Sequence, residues 1–157
     1  MKKLLIIVMV AIFMGLNMNA QAQADTVIGY ANYKKIEQSY EYAKRAYKEI
    51  DAKVLELQQF VIDKDKEFKN IDSPVKKKAF EEKTQKDYKA KEDAILALKT
   101  KKEDEIFNNI MVATNAVAKS KKIDVVLDYR VIFTGGTDIS NEVIQYLNTR
   151  PNPTAKK

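Results

Sequence analysis

Two adjacent glycines in "TGGTDIS", Thr134 to Ser140, are the residues of this chain whose type and spacing come nearest to chemistry. They stand between a short apolar run and a helical pattern, and a glycine-rich loop of that kind can cradle a phosphate on backbone N–H groups at a helix N-terminus. The established phosphate loops ask for more: G-x-x-x-x-G-K-[ST] for a nucleoside triphosphate, or G-x-G-x-x-G for a dinucleotide. This segment has neither spacing, and Asp138 would repel a phosphate. The chain contains no histidine and no cysteine, so Ser-His-Asp and Cys-His nucleophiles and the common structural zinc sites cannot be assembled. Carboxylate-only catalysis and a calcium site stay open in principle, but no D-x-[DN]-x-[DN]-G loop occurs. The expectation is a non-enzyme with no catalytic residue, metal or cofactor. Gly135 and Gly136 then serve as a turn, with φ > 0, from the last strand into a short closing helix.

The elements that would carry this turn follow from where helix breakers are missing. Between Asn32 and Lys122 there is no glycine and a single proline, Pro74, which predicts long helices. Ile36, Tyr40, Ala43, Tyr47, Ile50, Val54, Leu57 and Val61 alternate at spacings of 4 and 3, a heptad seam that continues past Lys64 to Phe68 and Ile71. A single helix over 33–71 would be about 58 Å long and would have to project from a domain of this size. Ser73 is a good N-cap and Pro74 suits a first helical turn, so a second helix is predicted from Pro74 to about Lys122. A short connection folds two such helices back antiparallel as a long hairpin with its tip at 72–74, the alternative being one kinked helix. On the second helix Phe80, Tyr88, Ile95 and Leu98 are scattered, and a clean apolar stripe returns only at Ile106, Ile110, Ala113 and Val117. From Asp63 to Glu105, 13 lysines mix with 12 acids, a composition suited to a solvated surface with i to i+4 pairs.

Strand signals flank the helical stretch: "TVIGYA" (26–31) before it, "IDVVLDY" (123–129) and "VIFTG" (131–135) after it. Asp138 or Ser140 can cap a closing helix with Val143, Ile144 and Leu147 on its apolar face. The fold class expected is α+β: a small β-rich body from 25–32 and 122–149, with the hairpin 33–121 projecting from it. Ile28, Tyr30, Val125, Leu127, Ile132 and Phe133, with Gly135 and Gly136, are the expected body residues. Three short strands and one short helix make a very small core, and no disulfide can reinforce it. Sheet edges that pair between copies would solve this, so an obligate oligomer is predicted.

The N-terminus reads as an export signal: Lys2 and Lys3, an apolar run from Leu4 to Leu16, then "NAQAQA" with cleavage after Ala22 or Ala24. The run of 13 residues is short of the ~20 that span a bilayer. Segment 1–24 is therefore expected to leave one mature domain, 25–149, followed by a polar proline-broken tail, 150–157, expected to be disordered. The mature chain carries 26 basic and 22 acidic residues, net +4. That excess suits an anionic membrane surface or acidic polypeptide, and export argues against nucleic acid.

The opening "IGYANYKKI", the stretch "IDVVLDYRVIFTGG" and the closing "DISNEVIQYLN" together resemble the Skp (OmpH-like) family of periplasmic chaperones over about residues 26–149. The family's entry motif often has Asp where this chain has Asn32, an equivalent N-cap. The resemblance implies a jellyfish-shaped homotrimer, a central body of strands from three chains with three helical tentacles around a cavity. It also implies a periplasmic holdase that works without ATP and keeps unfolded outer-membrane β-barrel proteins from aggregating. Tyr42, Phe60 and Tyr88, with Lys76, Lys77 and Lys78 near the tip, are the residues expected to face such clients. Positive and negative residues nearly balance along the helices here, whereas familiar members are more basic, so no lipopolysaccharide site is assigned. The alternative is a structural coiled-coil adaptor or spacer of the cell envelope, which the heptads alone would equally support.

Overall fold

The computed structural model describes residues 25–150, so the expected export segment 1–24 and the tail from residue 151 lie outside the described residues. The chain is mostly helical with a small sheet. Strand β1 (Ile28–Ala31) leads into α1 (Tyr33–Ser39), α2 (Glu41–Lys69) and α3 (Pro74–Ser120). Strand β2 (Val125–Asp128), a 3-10 turn (Tyr129–Val131), β3 (Thr137–Asp138) and α4 (Ser140–Thr149) follow. Among the described residues no helix is long and apolar enough to cross a membrane.

The sheet has the order β2-β1-β3 and is parallel throughout, with Ile28 opposite Val125, Tyr30 opposite Leu127, and Gly29 opposite Thr137. Parallel neighbours need a long crossover, and here α1, α2 and α3 form the crossover between β1 and β2. Strand alternation puts Ala31 and Val126 against the buried core, and leaves Ile28, Tyr30, Val125 and Leu127 on the other face. Ile28 and Val125 are exposed there. Gly29 is buried at the centre, where an added Cβ would lie 2.9 Å from the Ile123 side chain and 3.3 Å from the Thr137 carbonyl oxygen.

Three strand expectations need correction, the second strand being Val125–Asp128 rather than 123–129. The first strand is shorter than 26–31, although Val27 still pairs through its carbonyl with the Asp124 N–H at 2.9 Å. Residues 131–135 form no strand. The Asp128 carboxylate accepts from the backbone N–H of Arg130 at 2.9 Å and from its guanidinium at 2.8 Å, which turns the chain into the 3-10 segment instead. Ile132 is therefore half-buried and Phe133 stands fully in solvent, outside the sheet. Gly135 and Gly136 have φ of +78° and +81° and lead into β3, with the closing helix one step later.

The expected single helix over 33–71 is also broken. Tyr40 takes an extended conformation, φ −79° and ψ 115°, between α1 and α2. The Asn148 side chain of α4 bridges the break: its oxygen accepts from the Glu41 N–H at 3.0 Å and its amide donates to the Ser39 carbonyl at 2.9 Å. Tyr40 offers no side-chain cap of its own, so α2 is capped from 107 positions away. The α2 helix ends at Lys69 and α3 begins at Pro74, where Ser73 and Pro74 place a helix start.

The buried core sits where α1, the first turns of α2, the last turns of α3, and α4 meet the sheet. Ile36, Tyr40, Ala43, Ala46 and Ile50 are buried from the first half, and Ile106, Ile110, Ala113 and Val117 from α3. Ile139, Val143 and Leu147 close it. The Asp138 carboxylate accepts from both the N–H and the hydroxyl of Ser140, and the buried Ser140 hydroxyl in turn accepts from the Asn32 N–H at 2.9 Å. This chain of bonds ties the start of α4 to the start of α1. No residue from 51 to 105 is buried, so the remaining length of α2 and α3 extends beyond the core.

Candidate functional site

The extended length of the α2–α3 pair holds together without a buried interior. Tyr42 on α2 meets Glu105 on α3, Glu49 pairs with Lys102 at 2.9 Å, Lys91 lies over Phe60, and Phe68 meets Phe80 at 6.3 Å between ring centroids. Numbers rise along α2 as they fall along α3. At 1.5 Å per residue, the 47 residues of α3 span about 70 Å.

Near the turn between the helices lies a groove of about 530 Å³, lined mainly by Phe60, Val61 and Phe68 from α2 and by Phe80, Thr84 and Tyr88 from α3. Two stripes with a period of four build it. Phe60, Lys64 and Phe68 run along α2 while Phe80, Thr84 and Tyr88 run along α3, a spacing that keeps each set on one face. Between two closely packed helices such stripes are ordinarily aliphatic and closed. Here the rings are half-buried, and ammonium groups lie over the three phenylalanines. Lys77 lies 5.1 Å from the Phe68 ring, Lys91 5.3 Å from Phe60, and Lys64 5.7 and 5.6 Å from Phe60 and Phe80. A second groove of about 340 Å³ is lined by Leu57, Lys91, Ile95 and Leu98 among others.

The structure divides the residues expected to face a client. Phe60 and Tyr88 line the groove, and Lys77 covers one of its rings. Lys76 and Lys78 are exposed outside the lining. Tyr42 lies apart, at the base of the pair, where its hydroxyl donates to the Glu105 carboxylate and Lys102 sits 5.7 Å from its ring. Burial, and then the bond and charge of Glu105, push the Tyr42 phenol above its ordinary value. Tyr42 therefore fastens the two helices where they leave the core. Tyr47 is similar: its hydroxyl donates to Glu37 at 2.8 Å, and burial followed by that carboxylate raises its phenol as well.

Phe68, Phe80, Lys64 and Lys91 are groove residues that sequence reasoning passed over. In the sequence Phe68 reads as a continuation of the heptad seam and Phe80 as one of the scattered apolar residues of the second helix. The period-four repeat was the available signal, and it is hidden because each stripe carries a polar residue, Lys64 or Thr84, at its middle step.

At the other end of the molecule the glycine loop carries no open anion site. The Asp138 carboxylate occupies the N-terminus of α4. Burial acts to raise its titration, but the hydrogen bonds from Ser140 outweigh this and hold it below the ordinary carboxylate range. No known protein-family model matches this chain, and no curated protein matches it.

Proposed function

We propose that this chain is an exported holdase that works without ATP. It shelters unfolded outer-membrane β-barrel proteins between projecting helical arms in the periplasm. The carrying observation is that every buried residue of the long helices lies near the body, at Ile50 or before it and at Ile106 or beyond. What remains is a long arm whose apolar side chains line two half-open grooves or stand singly among charges. Leu55, Val61, Ile62 and Leu96 are individually exposed along it among mixed charges. Such a surface can contact an unfolded apolar chain while keeping the free protein soluble.

The descending contacts from Tyr42–Glu105 to Phe68–Phe80 support an antiparallel coiled-coil hairpin as the arm. The outer face of the sheet supports a trimeric body. Val27, Ile28, Val125, Tyr129, Val131 and Phe133 are all exposed around it, and β2 and β3 are both edge strands that a neighbouring copy could pair or cover. Three chains joined through this face would give the jellyfish arrangement that the sequence resemblance implies.

Two measurements test this reading. Analytical ultracentrifugation at micromolar concentration should find a trimer, and a folded monomer would remove the body from the proposal. Affinity capture from cell envelopes should retain a heterogeneous set of β-barrel proteins, whereas a single stoichiometric partner would favour an envelope adaptor or spacer.

A further inference from the structure

We propose that the groove near the α2–α3 turn recognises an extended peptide segment in which two aromatic side chains lie between two carboxylates, with Lys77 and Lys91 receiving the carboxylates. This rests on the holdase reading and gives its ligand a chemical pattern.

The three ammonium groups over the rings are not equivalent. Lys64 is held by Glu67 at 2.7 and 2.8 Å. Lys77 and Lys91 have no carboxylate within 4.0 Å among the described residues and rest on the faces of Phe68 and Phe60. A carboxylate partner binds an ammonium through charge-assisted hydrogen bonds that a ring face cannot supply. An incoming carboxylate therefore draws Lys77 off Phe68, whose ring becomes available to an apolar side chain of the same ligand, and draws Lys91 off Phe60, where Lys64 remains 5.7 Å from the ring centroid. Charge capture and apolar contact are coupled most directly at the Lys77 end of the groove.

The spacing sets the pattern. Lys77 and Lys91 are 14 positions apart on α3, close to four full turns, so their backbones share a face about 21 Å apart, the span open to the ammonium groups once they leave the rings. An extended chain advances about 3.3 Å per residue and covers that distance in about six steps. Six is even, so the first and seventh side chains point the same way, and the third and fifth point into the groove between them. On the rim, Asp65 is already paired with Lys69 at 2.6 Å, and Glu81 has no cation within 4.0 Å. The Glu81 charge disfavours a ligand made of consecutive acids and leaves the aromatic centre as the source of affinity.

The test is fluorescence anisotropy with the whole mature protein and fluorescein-labelled Asp-Ser-Phe-Ser-Phe-Ser-Asp. The controls are Lys-Ser-Phe-Ser-Phe-Ser-Lys and a peptide with serine in place of both phenylalanines. The first should bind about tenfold more tightly than either control, and the double variant Lys77→Gln/Lys91→Gln should lose about that factor for the first peptide while binding of the lysine-ended control does not fall. Phe68→Ala/Phe80→Ala should weaken both aromatic peptides, with circular dichroism confirming the helices. Equal binding of the three peptides, or a glutamine variant that binds the first as well as the parent does, overturns the inference. Failure here while the parent protein still suppresses client aggregation removes the groove pattern and leaves the holdase reading. Selective peptide binding without suppression does the reverse.

Discussion

Asn148→Ala should loosen the point where the long helices leave the body. The Asn148 side chain supplies an acceptor to the Glu41 N–H and a donor to the Ser39 carbonyl, at 3.0 and 2.9 Å, across the extended Tyr40. Truncation removes both bonds. Each is worth about 0.5–1.5 kcal/mol net, and loss of an N-cap typically costs ~1 kcal/mol. Both bonds are exposed, so water recovers part of the loss and a total of about 1–2 kcal/mol is expected. For a domain of this size that lowers Tm by about 4–10 °C. Asn148→Asp keeps the acceptor and loses the donor, and should fall between the parent and the alanine variant. The assay is a thermal melt followed by circular dichroism, with protein concentration held constant because self-association would itself shift Tm. An alanine variant that melts within about 1 °C of the parent would show that the break at Tyr40 is held by packing alone and would refute the capping argument.

Other perturbations follow from the same geometry. Lys122 has φ of +56° just past the end of α3, so Lys122→Gly should stabilise the protein by about 1 kcal/mol in urea unfolding, and no gain would mean that the strain is absent. Gly29→Val should destabilise the body, read as a lower Tm, because its Cβ would lie 2.9 Å from the Ile123 side chain and 3.3 Å from the Thr137 carbonyl oxygen, and an unchanged melt would refute the close packing. Valine at both Gly135 and Gly136 should hinder assembly of the proposed trimer, since φ of +78° and +81° is strained for a branched residue. An unchanged trimer of unchanged stability in ultracentrifugation and melting would contradict this. Asp138 is held below its ordinary range when folded, so it contributes stability that is complete above about pH 4 and is lost as pH falls through the depressed folded value. Asp138→Asn should flatten that acid limb in pH-dependent urea titrations, and an unchanged limb would refute the assignment.

How much of the molecule could be read from its residues depended on the range of the forces involved. The α3 stripe Ile106, Ile110, Ala113 and Val117 and the closing-helix positions Val143 and Leu147 were legible, and all are buried. Local periodicity encodes them. The heptad seam held only as far as Ile50. Beyond it Val54 and Val61 are exposed, because two paired helices without a third neighbour cannot cover a full stripe. The break at Tyr40 had no local signal, since its cap comes from Asn148. Residues 131–135 have strong strand propensity, and the Asp128 bonds to Arg130 overrode it.

Asn109 illustrates the same limit. It lies fully buried in the α3 stripe and donates to the Tyr40 hydroxyl at 3.2 Å, while its side-chain oxygen has no partner. A polar group left in this state costs stability, and Asn109→Leu would have to overcome steric change at Tyr40 to recover it. The placement next to the helix break ties α3 to the residue where the chain bends. For the groove, Phe60 and Tyr88 were legible as aromatics off the seam. Their assembly with Phe68 and Phe80 needed the register of α2 against α3, which no single-helix pattern contains.

The central claim, that the projecting helix pair shelters unfolded chains, is tested most directly by light scattering. A urea-denatured outer-membrane β-barrel protein is diluted into buffer with increasing amounts of the mature protein and no nucleotide. Scattering should fall to the buffer level once this protein is in molar excess. Aggregation that proceeds unchanged at that excess would contradict the account.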